Sequence, residues 1–327
     1  MGSRVQAGGR GARLERPLWH AGGMRVRVGT RASGLARAHS GLVTDRLWNV
    51  GTQLGKEVEL AVIPVTAEGD SRHGRSEAVD RGVFVAALRV ALLSGECDIV
   101  VHALEDVPMG EHPDLTIGAI TARGDPRDAL CTGGPLLAGL GPGARVAADS
   151  PRRFAQVLAL RPDLEAVEIA GSLDYQFEKL HGGDCEGLIV GKADLDALGR
   201  PHSAVEVFEP GDVVPGPGQG VLAVEMRANA SDELREVVAA LDDAATRAAI
   251  VAERAVLEVL GGDKRAPMAA FATVAGDSLR LHVRALNRSG TLALNDFSEA
   301  PPSDARTLGR NAALALLGRG AARLMAS

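Results

Sequence analysis

The first feature of this sequence that could do chemistry is a carboxylate at the end of an apolar run. Asp106 stands near the close of DIVVHALEDVP (98–108). There its charge could accept hydrogen bonds from a ligand's N–H groups and stabilise a developing cation; the same position also suits a cap or turn after a strand. Two candidate anion sites accompany it. In Ser150-Pro151-Arg152-Arg153 the serine fits an N-cap, the proline the first helical position, and the two guanidiniums could each grip a carboxylate at two points. In GTRAS (29–33), Ser33 fits the cap of a following helix and Arg31 supplies a nearby cation. Taken singly, each of these arginines also suits a surface salt bridge.

The elements that must position these groups alternate. After Met24, RVRVG reads as a short strand, Leu35 to Trp48 as a helix and VELAVIPV as a second strand, a βαβ unit. A helix from Val83 to Leu93, the strand CDIVVHAL and the strand TIGAITA continue it. A second α/β unit begins near Arg123. Its strands are DALCT, ARVAAD, AVEIAG and GLIV, and its helices run from Arg152 to Leu160 and from Asp174 to Leu180. The Pro/Gly-rich PGDVVPGPGQG (210–220) then marks a crossing between domains before the strand VLAVEMR. A helix from Asp243 to Leu260, the strands FATVA and LRLHVRAL, and a helix from Ala305 to Met325 make a third, α+β unit. The expected fold is therefore α/β, with domain 1 at 24–121 plus 220–240, domain 2 at 122–219 and domain 3 at 243–327. In such folds ligands collect beyond the strand C-termini.

Composition bounds the partners. A chain of 327 residues, 46% hydrophobic and 24% charged, is ordinary for a globular protein of two or three domains. A formal net charge of −6 argues against a general nucleic-acid binder. Cys97, Cys131 and Cys185 are odd in number and widely spaced, which implies neither a disulfide framework nor a metal site and suits a reducing cytoplasm. No apolar run is long enough to span a bilayer. Residues 1–23, rich in Gly and Arg, read as a disordered tail or as an over-called start ahead of Met24. A monomer acting on a small molecule, with no membrane or nucleic-acid partner, is the expectation.

From Met24 onward the order of signatures resembles the porphobilinogen deaminase (hydroxymethylbilane synthase) family. They are GTRASGLA (29–36), VTAEGD (65–70), RGVFV (81–85), DIVVHALEDVP (98–108), GDPRDAL (124–130), SPRR (150–153), RPDL (161–164), VPGPGQGVLAVEMR (214–227) and AERAVLEVLGG (252–262). The resemblance implies two hinged α/β domains like those of periplasmic binding proteins, plus a third domain that carries a dipyrromethane cofactor on a cysteine thioether. The implied reaction joins four porphobilinogens head to tail with loss of ammonia, through azafulvene cations, on the way to porphyrins and heme. It makes Asp106 the catalytic carboxylate and assigns substrate contacts to Arg31, Ser33, Arg81, Arg127, Ser150, Arg152, Arg153 and Gln219.

The chain departs from the pattern where the cofactor should be attached. The loop reads GGDKRAP, with Asp263 at the position of the family's cysteine, so no thioether can form there and the dipyrromethane is expected to be absent or held noncovalently. Family lysines correspond to Glu77 and Glu105, and family arginines to Ala170 and Gln176. The cleft is therefore about six charges more negative than the family pattern. One carboxylate about 6 Å from a substrate carboxylate costs roughly 3 kcal/mol at an effective dielectric of 20. Two functions follow as expectations: an impaired enzyme of tetrapyrrole synthesis, or a non-catalytic paralogue that binds a small pyrrole or carboxylate ligand between the domains.

Overall fold

The computed structural model describes residues 23–66, 81–110, 112–261 and 266–327. Of the tail expected to be disordered, residues 1–22 lie outside the described residues. The first α/β unit runs β1 (Met24–Thr30), α1 (Gly34–Gln53), β2 (Val58–Pro64), α2 (Arg81–Leu93), β3 (Ile99–Ala103) and β4 (Leu115–Ile120). The second runs β5 (Asp128–Thr132), β6 (Arg145–Ala148), α3 (Pro151–Leu160), β7 (Glu165–Glu168), α4 (Leu173–His181), β8 (Gly187–Gly191), α5 (Lys192–Ala197) and β9 (Glu206–Val207). β10 (Leu222–Arg227) and α6 (Asp232–Ala239) return to the first unit. The third unit holds α7 (Ala244–Leu260), β11 (Met268–Ala275), β12 (Ser278–Leu286), β13 (Ala293–Ala300), α8 (Ala305–Gly318) and α9 (Ala321–Met325).

The two large sheets share one plan. In the first, β2-β1-β3-β10-β4, strands β1, β2 and β3 are parallel and β10 runs against both its neighbours. In the second, β7-β6-β8-β5-β9, strands β6, β7 and β8 are parallel and β5 is antiparallel to β8. Apolar side chains on both faces, such as Ile99 and Val101 on one side of β3 and Val100 on the other, reflect burial under helices. β5 enters the second sheet from the first unit and β10 enters the first sheet from the second, so the chain crosses between units twice. The crossings lie side by side: Gly124 N–H donates to Gly220 O at 2.8 Å and Thr121 N–H to Leu222 O at 3.0 Å. Gly220 sits at φ +76° with the Asp125 carbonyl 3.3 Å from where a Cβ would be, so any side chain there would be strained. The third unit is a three-stranded antiparallel sheet with α7 and α8 on its apolar face.

Several boundaries differ from the sequence reading. Helix α1 continues past Trp48 because Gly51 lets it cross β2, a Cβ there falling 2.4 Å from Val58. The last helix breaks at Gly320, which takes φ +94°. β13 and α6 were not anticipated; ALNDFSEA, rich in Asn, Asp, Ser and Glu, gives little strand signal and forms an edge.

Candidate functional site

Asp106 ends a single 3-10 turn, Leu104–Asp106, at the C-terminal end of β3, and is half-buried. Two neighbouring segments, the 218–221 loop and α7, fix the turn together with a hydrogen bond of its own. Leu104 N–H donates to Val221 O at 2.9 Å, and Val107 N–H closes onto Leu104 O at 3.0 Å. Gly218, at φ +81°, presses against Glu105, whose nitrogen lies 3.3 Å from where a Cβ would sit. From α7 in the third unit, Arg254 donates Nη1 to Val107 O at 3.1 Å and Nη2 to Pro108 O at 2.7 Å. Behind β3, buried Glu225 accepts from Arg89 at 2.8 Å and meets His102 Nε2 at 3.1 Å. Burial alone would raise the Glu225 pKa, but His102 and Arg89 outweigh it and hold the carboxyl below its ordinary range.

Ser33 caps α1, accepting from Ala36 N–H at 3.3 Å, as its sequence context predicts. Arg31 sits over the ring of Phe84 of α2, its guanidinium carbon 3.3 Å from the ring centroid, a cation–π contact. Ser150 caps α3, 3.5 Å from Arg153 N, with Pro151 at the first helical position.

The carboxylate gripped by the arginine pair that follows is the protein's own Asp128. Arg152 donates Nη1 to Asp128 at 2.6 Å and to Val214 O at 2.9 Å, and Nη2 to Asp128 at 3.2 Å and to Gln219 Oε1 at 2.9 Å. Those bonds use four of its five N–H groups, so Arg152 belongs to the crossing between units. Gln219 completes the cluster by donating Nε2 to Pro126 O at 2.8 Å and to Asp128 at 3.0 Å. Arg153 also meets Asp128, through Nε at 2.9 Å, and donates Nη1 to Asp149 at 2.5 Å, while its Nη2 has no hydrogen-bond partner among the described residues. Burial would lower the pKa of Arg153, but Asp149, Asp128 and Glu105 raise it instead. Glu105 of the first unit therefore acts electrostatically on Arg153 of the second. Arg127 is held by Asp125 at 2.8 Å and Glu209 at 2.9 Å.

Gln176 is buried and donates to Gly171 O at 3.2 Å, and Ala170 is half-buried after β7. Asp263 and Glu77, and the side chain of Arg81, lie outside the described residues. All three cysteines are buried; burial pushes the Cys97 thiol up to about 11, that of Cys131 up to about 12, and that of Cys185 upward as well. Among the described residues no cluster of His, Cys, Asp or Glu could hold a metal ion, and no helix is long and apolar enough to cross a membrane. The sequence reading missed Asp128 as the centre of the arginine cluster. Its signal was a carboxylate opening the otherwise apolar strand DALCT. Glu253 was missed too: it is fully buried on α7 and accepts from Arg123, Gly218 N–H and Ala272 N–H, each at 2.8 Å.

The model of the family described as "Porphobilinogen deaminase, dipyromethane cofactor binding domain" matches residues 26–236. The porphobilinogen deaminase of Acidothermus cellulolyticus is 45% identical over 304 residues, 92% of this chain and 91% of that protein. That of Mycolicibacterium paratuberculosis is 39% identical over 312 residues, 92% and 96% of the two. Among solved structures, the methionine-binding protein MetQ aligns over 66% of this chain and 89% of its own, at 13% identity and a TM-score of 0.39. A periplasmic His/Glu/Gln/Arg/opine family-binding protein from Silicibacter pomeroyi aligns over 66% and 88%, at 14% identity and a TM-score of 0.34.

Proposed function

The chain belongs to the porphobilinogen deaminase family of porphyrin and heme biosynthesis, and on that premise we propose that it binds one porphobilinogen-type pyrrole in the cleft between its two α/β units. The observation that carries this reading is Asp106, in a turn held at a strand end by the 218–221 loop and by Arg254 of α7, with Arg153 offering an Nη2 that has no hydrogen-bond partner among the described residues. In this reading Asp106 accepts the pyrrole N–H and stabilises the cation left when the aminomethyl C–N bond breaks and ammonia departs. Arg31 and Arg153 bind the ring's carboxylates, and Ser33 and Ser150 orient the helix starts beside them. Arg152, Gln219 and Arg127 act indirectly, by fixing the crossing strands.

The family's covalent dipyrromethane does not fit this chain. Asp263 offers no sulfur, and Cys97, Cys131 and Cys185 are buried with their thiols held protonated. Condensation of four porphobilinogens to hydroxymethylbilane is therefore severely impaired. The second reading, a non-catalytic binding protein, draws support from Glu105, which occupies the field of Arg153 that a ligand carboxylate would use. Intact-mass measurement of the purified protein tests the cofactor half. A mass excess of two linked pyrroles would overturn it. Calorimetric titration with porphobilinogen tests the binding half: no heat and no thermal shift would leave only the fold inherited.

A further inference from the structure

His39 and Asp194 meet across the two α/β units. His39 lies on α1 of the first unit and Asp194 on α5 of the second, with Nε2 3.4 Å from Oδ1. The imidazole is buried, and the carboxylate is about one-third exposed. On the α1 side Gly34 follows Ser33, and a Cβ built there would lie 3.5 Å from Asp174 Oδ2 and 3.9 Å from Leu198. On the α5 side a Cβ built at Gly191 would lie 3.3 Å from Asp194 Oδ2 and 3.4 Å from Arg153 Nη2. The units are thus in close packing at this edge, away from the crossing strands that join them covalently.

The neighbouring charges are mostly committed elsewhere. On α4, Asp174 pairs with Arg200 at 3.2 Å; on α5, Lys192 pairs with Asp196; on α6, Glu236 pairs with Lys56 at 2.5 Å. Under α1, Arg27 pairs with Asp98 at 2.7 Å, and Arg153 of α3 is divided between Asp128 and Asp149. Arg37, on α1 itself, is exposed. Asp194 therefore has His39 as its ion-pair partner among the described residues. An imidazole ordinarily changes charge at about pH 6.5. Its attraction for a carboxylate is present in acid and is lost as pH rises and the ring becomes neutral.

We propose that the His39–Asp194 pair is a proton-dependent tie between the two α/β units that sets how far the cleft opens. The pair closes the cleft edge when His39 carries its proton and releases it when the proton leaves. Two crossing strands provide the hinge, and the tie lies on the edge that must part when the hinge opens. The tie needs no ligand, so it stands apart from the pyrrole reading.

The test is an interdomain distance on the ligand-free full chain. Arg46 and Asp184 are exposed, on the first and second units, and the three native thiols are buried, so spin labels on R46C and D184C go to the intended sites. Distance distributions at pH 5.5 and 8.5 should show the closed-to-open ratio falling about fivefold in the parent, equivalent to about 1 kcal/mol at 1.4 kcal/mol per tenfold. His39→Gln and Asp194→Asn should each show the open-shifted distribution at both pH values. An unchanged parent distribution, or full pH response in a folded variant, overturns the tie. If a variant fails to fold, the other and the parent decide. Absence of porphobilinogen binding alongside the expected distance changes would sink the pyrrole reading and leave the tie standing.

Discussion

Asp128 and Arg152 meet at two points, Nη1 to Oδ2 at 2.6 Å and Nη2 to Oδ1 at 3.2 Å, where the carboxylate has no exposure to solvent. Removing the charge of Asp128 leaves Arg152 and Arg153 buried without it, and breaking such a pair from one side costs about 3–5 kcal/mol. Asp128→Asn should lower the unfolding free energy by about that amount in urea titrations. The pH dependence has a definite sign. Burial alone would raise the Asp128 pKa, but Arg152 and Arg153 hold it below the ordinary carboxylate value, so its contribution is present above the unfolded-state pKa and is lost as pH falls through the folded one. A parent protein no more acid-sensitive than Asp128→Asn would contradict this.

The thiols give a second prediction. Cys97 is packed against Gly29, where a Cβ would come within 2.8 Å of its sulfur, and Cys131 lies inside β5. With burial disfavouring the thiolate, none of the three should react with a disulfide reagent at pH 8 in the native state, and all three should react in denaturant. Rapid labelling of any one in the native protein would reopen the question of a covalent anchor.

The sequence carried the strand-and-helix order well, because the strands that are buried on both faces are short apolar runs bounded by Gly and Pro, and Ser33 and Ser150 announce their helices. It carried the destination of the arginines poorly. Arg152 and Arg153 are adjacent and alike in type, yet one is spent on Asp128, Val214 and Gln219 while the other has no partner on Nη2 among the described residues; that difference depends on crossing strands that are some 60 residues away in the chain. Arg254, in the second half of α7, gave no local sign that it would reach the Asp106 turn. The His39–Asp194 contact lies between units and has no local signature at all.

Arg254 carries a third prediction. It satisfies Val107 O and Pro108 O just beyond Asp106, so its removal frees both carbonyls and loosens the turn. Arg254→Ala should lower stability by about 1–3 kcal/mol, in line with hydrogen bonds to a charged donor. It should also weaken porphobilinogen binding, while Arg254→Lys restores part of the binding. Equal loss of stability with unchanged ligand affinity would make Arg254 a purely structural residue.

The last prediction separates the two departures from the family pattern. Asp263→Cys supplies a sulfur but leaves Glu105 acting on Arg153, the guanidinium that has a donor to spare for a ligand. Asp263→Cys alone should therefore leave porphobilinogen consumption close to that of the parent. Glu105→Lys removes a negative charge and adds a positive one beside the same ligand carboxylates; an exchange near 6 Å is worth up to about 3 kcal/mol per charge at an effective dielectric of 20, and about 1 kcal/mol after solvent screening. Calorimetry should show the affinity for a pyrrole with several carboxylates rising about tenfold or more in Glu105→Lys, with a smaller gain for Glu105→Gln. Combining Asp263→Cys with Glu105→Lys should then raise consumption above either single change. Full recovery by Asp263→Cys alone would refute the electrostatic half of this account, and no gain in affinity for Glu105→Lys would show that Glu105 does not compete with the ligand for Arg153.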